Sequence, residues 1–125
     1  MARNYHKLRA FELADMLVIE IYKVTSEFPK DEIYGLTSQL RRAAVSIPTN
    51  IAEGCGRETD AELARFCQIA TGSASEVEYL LLLSHDLGLI KDPEYEPYNQ
   101  EVNEVKRMLI SFLFKLRPNR NKPQS

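Results

Sequence analysis

Residues 35–54 read GLTSQLRRAAVSIPTNIAEG, with apolar side chains recurring at steps of three and four. The side chains that share one side of a helix at this spacing are Leu36, Leu40, Ala44, Ile47 and Ile51. The pattern predicts an amphipathic helix over about residues 35–54. Pro48 lies in its middle and has no N–H to bond to Ala44, so we expect a kink near Ser46. One helix is favoured over two because the apolar period continues across Pro48.

Three further segments show helical spacing, over about residues 8–28, 60–87 and 94–116. The connections between them are short, which makes successive helices antiparallel neighbours. The fold expected from the sequence is therefore an all-α, up-down-up-down antiparallel four-helix bundle with a kinked second helix.

Local signals mark the ends of these helices. Thr59 and Glu62 form the T-x-x-E pattern, in which each side chain caps the other's backbone amide. Gly88 is a natural C-terminal stop for the third helix. Pro93 suits the first turn of the fourth helix. An alternative in which Pro97 delays that helix stays open.

The composition is that of one globular domain. The chain has 125 residues, of which 44% are apolar and 27% are charged, with only five glycines and six prolines. We expect one bundle over residues 1–116, followed by a disordered basic tail over residues 117–125. The tail contains three positive side chains, two prolines and no acidic residue.

Charge and hydropathy restrict where the protein can be located and what its surface can bind. Residues 1–7 lack the apolar stretch of a signal peptide, and no run reaches the roughly 18 apolar residues of a membrane span. We therefore expect a cytoplasmic protein without membrane contact. A formal net charge of −2 excludes a surface built throughout for nucleic acid, but it allows local basic patches.

Two apolar runs, residues 16–19 and 80–83, place hydrophobic side chains on every side of the first and third helices. A single core-facing stripe cannot bury them, so a monomer would expose a large apolar area. Self-association is the simplest remedy. The oligomer contacts expected on this basis are Met16, Val18, Ile19, Leu80, Leu82 and Leu83.

A second stripe on the second helix is polar throughout, and we call it the polar seam. Its members, spaced by three and four, are Gln39, Arg42, Ser46, Asn50, Glu53 and Arg57. In one interpretation the seam is a solvated face with an ion pair between Glu53 and Arg57. In the other it is a hydrogen-bonded network at an interface or at the Pro48 kink.

Residues 34–54, YGLTSQLRRAAVSIPTNIAEG, resemble the signature of the four-helix-bundle proteins encoded in 23S ribosomal RNA intervening sequences. Looser matches at residues 13–22, 76–80 and 87–90 extend the likeness over most of the chain. The resemblance implies a ring-like homopentamer with a suspected nucleic-acid role. A more distant likeness to the accessory bundle proteins of diversity-generating retroelements implies binding to reverse transcriptase and nucleic acid through a basic pentamer surface.

Neither a metal site nor a catalytic group is expected. A di-iron bundle needs Glu-x-x-His repeats, whereas the residue three before His85 is a leucine. The histidines His6 and His85 do not form a zinc spacing with Cys55 and Cys67. No histidine lies at a local helical spacing from Ser46. We expect no cofactor, no small-molecule substrate and no enzymatic activity.

Two functions compete on these observations. The first is a nucleic-acid associated assembly module, in which RNA or DNA binds to basic side chains repeated around an oligomer. The residues proposed for such binding are Arg41, Arg42, Arg57, Arg65, Lys115, Arg117, Arg120 and Lys122. The second is a protein-binding scaffold whose charges serve only solubility.

Overall fold

The computed structural model describes residues 3–116. They form four α-helices, α1 (Arg9–Thr25), α2 (Leu36–Cys55), α3 (Asp60–Asp86) and α4 (Asp92–Leu116), and two short 3-10 helices, Tyr5–Lys7 and Lys30–Glu32. Each helix packs against the next along the chain, and α1 also packs against α4, so the bundle closes. No strand occurs among the described residues. The all-α antiparallel four-helix bundle expected from the sequence is confirmed.

The apolar stripes meet in one core. All five apolar side chains predicted to line α2 are buried, and so are Val102, Val105 and Leu109 of α4. In α1, Leu17 and Ile21 are fully buried. Burying a side chain of this size contributes roughly 1.5–3 kcal/mol, so the shared interior is the main source of stability.

The contact between α2 and α3 is the most extensive in the bundle. A methyl group added at Gly54 would lie 2.8 Å from Cβ of Phe66 and 3.0 Å from Cδ1 of Leu63. Further along, both helices bury alanines among their larger side chains, Ala43 and Ala44 in α2 and Ala70 and Ala74 in α3. The two backbones approach this closely because little side-chain volume separates them.

Helix α1 ends at Thr25, three residues before the predicted end near residue 28. The Thr25 hydroxyl donates to the carbonyl of Ile21 at 2.7 Å, and the Ser26 hydroxyl donates to that of Lys23 at 2.6 Å. The Ser26 hydroxyl thereby bonds a carbonyl that the end of the helix leaves without its amide partner, so the chain can leave the helix there. Phe28 remains buried beyond the helix end.

The caps of α3 and the start of α4 differ slightly from expectation. The Thr59 hydroxyl accepts from the Glu62 amide at 3.1 Å, as predicted, but it also donates to the Glu62 carboxylate, which was expected to bond the Thr59 amide. Gly88 has φ +80° and ends α3 as predicted. Helix α4 begins at Asp92, earlier than predicted, because Pro97 is exposed and water can solvate the carbonyl that lacks its amide partner.

Helix α2 continues without a break through Pro48. The Thr49 hydroxyl donates to the Val45 carbonyl at 2.7 Å, and the Asn50 amide donates to the Ser46 carbonyl at 2.8 Å. These side-chain donors lie beside the position where the proline removes a backbone donor. The single-helix alternative is therefore the one found.

Two carboxyl groups meet where α1 packs against α4. Burial, together with the adjacent Glu20 carboxylate, raises the pKa of Glu101 to about 7. Glu20 and Glu94, with Glu101 itself, also add to the effect of burial in raising the pKa of the Tyr98 hydroxyl. This part of the interface is therefore acidic on both helices.

We expect Gly54→Ala to destabilise the protein by about 1–3 kcal/mol, because the new methyl group overlaps atoms of α3 that lie close to its backbone. The matched control is Gly72→Ala, also inside a helix, where nothing lies within 4 Å of the added group. That change should stabilise by about 0.4–1 kcal/mol. Urea unfolding followed by circular dichroism measures both, and equal effects would contradict the close approach.

We expect the thermal stability of the wild type to fall as pH rises from about 4.5 to about 7. In this window the folded protein holds a proton on Glu101 that the unfolded chain releases, so raising the pH favours unfolding. Glu101→Gln should flatten this dependence and raise the melting temperature at pH values above the window. Glu96→Gln, at an exposed position of the same helix, is the control. An unchanged profile in Glu101→Gln would refute the assignment.

Candidate nucleic-acid interface

Charge is distributed unequally along the bundle. One half, which we call the basic end, comprises residues 3–16, 47–72 and 105–116 and holds eight Lys and Arg against six Asp and Glu. The other half, the acidic end, comprises residues 17–46 and 73–104 and holds five against twelve. The antiparallel packing brings segments that are distant in sequence to the same end.

Three of the predicted nucleic-acid residues lie at the basic end. Arg57 contacts the Glu53 carboxylate at 3.4 Å, and its guanidinium lies 4.8 Å from the centre of the Phe66 ring. Arg65 is exposed, and residues 3–116 offer it no ion-pair partner. Lys115 is exposed in the last turn of α4. The other three, Arg117, Arg120 and Lys122, lie outside the described residues and follow Leu116 in sequence.

The remaining two, Arg41 and Arg42, lie at the acidic end. Arg41 donates to the Thr25 hydroxyl at 2.8 Å and to the Tyr22 carbonyl at 3.3 Å, and it stacks 4.5 Å from the Tyr22 ring centre. It therefore closes the C-terminal end of α1, where a cation also suits the helix dipole. Arg42 is exposed and donates to the Ser38 hydroxyl at 3.1 Å.

A groove of about 450 Å³ lies at the basic end, between the start of α1 and the end of α4. Four cations line it, of which the sequence analysis named only Lys115; the others are Lys7, Arg9 and Arg107. Arg9 pairs with Glu12 and Arg107 with Glu104. Lys7 and Lys115 have no acidic partner among residues 3–116. Sequence spacing could not find this cluster, because its members come from opposite ends of the chain.

The polar seam divides into two kinds of surface. At its middle, Ser46 and Ser73 share a hydrogen bond of 2.8 Å between α2 and α3, and the Asn50 amide donates to the Ser46 hydroxyl at 3.0 Å. These side chains are half-buried. At its ends, Gln39, Arg42, Glu53 and Arg57 are exposed. The middle of the seam is therefore a hydrogen-bonded network, and its ends are a solvated helix face.

The proposed oligomer contacts are also unequal. Met16, Ile19 and Leu82 are 53%, 51% and 42% exposed, and Val18 and Leu83 are half-buried against the core. Leu80 differs from the prediction because only 4% of it is exposed. It lies three residues after the buried Val77 and shares its core-facing side, so another subunit cannot reach it.

The titratable side chains at the helix ends have structural roles. A hydrogen bond to Asp92, then one to Asp86, raises the pKa of His85, which ties the end of α3 to the start of α4.

Both cysteines are buried and free. Burial raises the pKa of Cys67 to about 11, which keeps the thiol protonated at neutral pH. Among the described residues, no three His, Cys, Asp or Glu side chains are grouped as metal ligands.

These features define a small four-helix-bundle protein with a polarised surface charge. Residues 6–111 match the sequence profile of the 23S rRNA-intervening sequence protein family, and the chain belongs to that family. Its link to retroelement accessory proteins stays a prediction. None of the helices in residues 3–116 is long and apolar enough to cross a bilayer.

The bundle is similar to a crystal structure from Bacteroides thetaiotaomicron VPI-5482, described as a protein with unknown function from the S23 ribosomal protein family. The two chains are 25% identical and superpose with a TM-score of 0.75. The match covers 83% of this chain and 97% of that one. A search of curated proteins found no match.

We expect Arg41→Ala to lower the free energy of unfolding by about 1–2 kcal/mol, because it removes two hydrogen bonds and a stacking contact at the end of α1. Arg42→Ala, which removes the same charge one residue later, should change it by less than about 0.5 kcal/mol. Urea denaturation at one protein concentration compares them. Equal losses would show that Arg41 has no special structural role.

Proposed function

We propose that this protein is a non-enzymatic, oligomeric module that associates with nucleic acid, RNA in particular, through its basic end. The observation that carries the proposal is the separation of charge between the two ends of the bundle. A chain with net charge −2 repels a polyanion as a whole, but the basic end, where eight Lys and Arg outnumber six Asp and Glu by two, attracts it locally. The basic tail adds three more cations directly after α4.

Several copies acting together would strengthen this modest patch. Binding one basic end to a nucleic acid raises the effective concentration of the others, so weak contacts add up to useful affinity. The homopentamer implied by the family resemblance is the assembly we propose.

Exposed apolar surface supports the assembly. A shallow groove runs between α1 and α2, formed by two adjoining depressions of about 420 and 400 Å³ that share Val45, the first of which is also lined by Arg41 and Arg42. Tyr22 and Ile33 line one depression, and Phe11 and Val18 line the other. This groove suits the interdigitation of a helix from another subunit. Met16 and Ile19 do not line it, and they add exposed apolar area elsewhere on α1.

The non-enzymatic part of the proposal rests on how the candidate reactive groups are used. Ser46 is bonded to Ser73 and Asn50, which leaves it without a neighbouring base among the described residues. The two thiols are buried. His85 is held between two carboxylates at a helix junction. Each group has a structural partner that accounts for its position.

A protein-binding scaffold is the second candidate. It is favoured by large apolar side chains exposed on α3 and α4, away from the α1–α2 groove, of which Tyr79 and Phe114 are 59% and 60% exposed. Such side chains suit a protein partner better than a phosphate backbone. In this case the charge separation would serve only solubility and orientation.

The test compares two double variants with the same change in charge. Lys7→Ala with Lys115→Ala alters the basic end, and Lys30→Ala with Lys91→Ala alters exposed positions of the acidic end. Fluorescence anisotropy with a structured RNA and a duplex DNA at two salt concentrations measures the affinity. The basic-end variant should bind more weakly, with a salt slope reduced by about 0.7–0.9 for each lost phosphate contact. The acidic-end variant should bind as the wild type does.

Equal binding by the two double variants would contradict the assignment of the basic end. No binding of the wild type at low salt would refute the nucleic-acid role and make the scaffold the leading function. Light scattering on the same samples gives the subunit number, and a monomer mass would refute the assembly.

A further inference from the structure

We propose that the groove between the start of α1 and the end of α4 binds an unpaired nucleotide of single-stranded RNA or DNA. The base would lie on the apolar floor and the phosphate at Lys7 and Lys115. This inference rests on the proposed function and narrows it to strands with unpaired bases. The groove's volume of about 450 Å³ lies within the range of about 300–1,000 Å³ that is usual for ligand sites.

The floor of the groove is apolar and partly open. Its half-buried side chains are Leu8, Met108 and Phe112, and behind them lie the fully buried Ile51 and Leu109. Phe112 provides an aromatic ring, the surface on which bases stack regardless of sequence. A phosphate or a sugar gains nothing from such a floor, so the shape calls for a flat, largely apolar group.

The rim of the groove is cationic. It carries Lys7, Arg9, Arg107 and Lys115 against the single acidic residue Glu104. Arg107 and Glu104 pair with each other, and Arg9 pairs with Glu12. The two lysines are therefore the cations with uncommitted charge, and they lie on opposite elements that border the groove. An anionic group is the complementary occupant.

Single-stranded nucleic acid supplies both the flat, largely apolar group and the adjacent anionic group, because each nucleotide carries a base and a phosphate. A duplex keeps its bases stacked inside and offers the rim only phosphates, which leaves the apolar floor uncovered. A single strand can splay a base out of the stack and place it on an aromatic side chain, with its phosphate beside it. Arg3, which pairs with Asp60 at 3.0 Å, borders the same floor, with its guanidinium 5.8 Å from the centre of the Phe112 ring.

The experiment uses the full chain and a fluorescent, unstructured oligonucleotide, alone or annealed to its complement, at one salt concentration. The single strand should bind at least about tenfold more tightly than the duplex. Phe112→Leu keeps an apolar side chain but removes the stacking surface, so it should weaken single-strand binding by about tenfold and leave duplex binding unchanged.

A second variant tests the groove independently in case Phe112→Leu does not fold. Ser111 is exposed and lines the groove, so Ser111→Leu should obstruct it without touching the core. Ser75→Leu, at an exposed helical position of α3 away from the groove, is the matched control. Circular dichroism and mass determination confirm that each variant folds and assembles. Single-strand binding should fall only in the groove variant.

Three results would overturn the inference. Equal affinity for single strand and duplex, unaffected by Phe112→Leu and Ser111→Leu, would remove the groove but leave the basic end as a phosphate-binding surface. Calorimetric binding of a medium-chain fatty-acid anion that the oligonucleotide does not displace would make the groove a lipid-anion site. Binding of neither nucleic acid at low salt would refute the proposed function as well.

Discussion

The close approach of α2 and α3 sets the register of the whole bundle. Gly54 leaves room for Phe66 and Leu63 at one end of this contact, and Ser46 meets Ser73 at 2.8 Å near its middle. A Cβ at the first point would push the two backbones apart, and the hydroxyl pair at the second would separate. Because the two contacts lie two turns apart on α2, they fix both the spacing of the helices and their relative shift along the axis.

Register then decides where charge accumulates. With α2 and α3 fixed, α1 and α4 pack on their open sides, and the start of α1 lies beside the end of α4. Lys7 and Lys115, separated by most of the chain, border one groove as a result. The twelve acidic residues of the acidic end are brought together by the same packing. Part of the charge separation is local, since α4 alone holds five acidic residues over 92–104 and three basic residues over 105–116. The antiparallel packing adds segments of the other helices to each end.

The sequence predicted what depends on local periodicity. The stripe of α2, the Thr59 cap and the Gly88 stop all arise from interactions within a few residues, and all are found. The role of Arg41 escaped prediction because its partners, Thr25 and Tyr22, lie on another helix. The groove and the burial of Leu80 escaped prediction for the same reason, because both depend on how elements distant in sequence pack together. Helical spacing tells which side of a helix a residue occupies, but it does not give the width of the face that a neighbouring helix covers.

Assembly and nucleic-acid binding are thermodynamically linked under the proposed function. A ring that gathers several basic ends brings like charges together, which costs free energy at low salt. A nucleic acid that contacts several of these ends neutralises them and releases its own counterions. A ligand that prefers the assembled form must stabilise that form by the same factor by which assembly improves its affinity. The apolar surface of α1 therefore needs to supply only part of the free energy of assembly, with the polyanion supplying the rest.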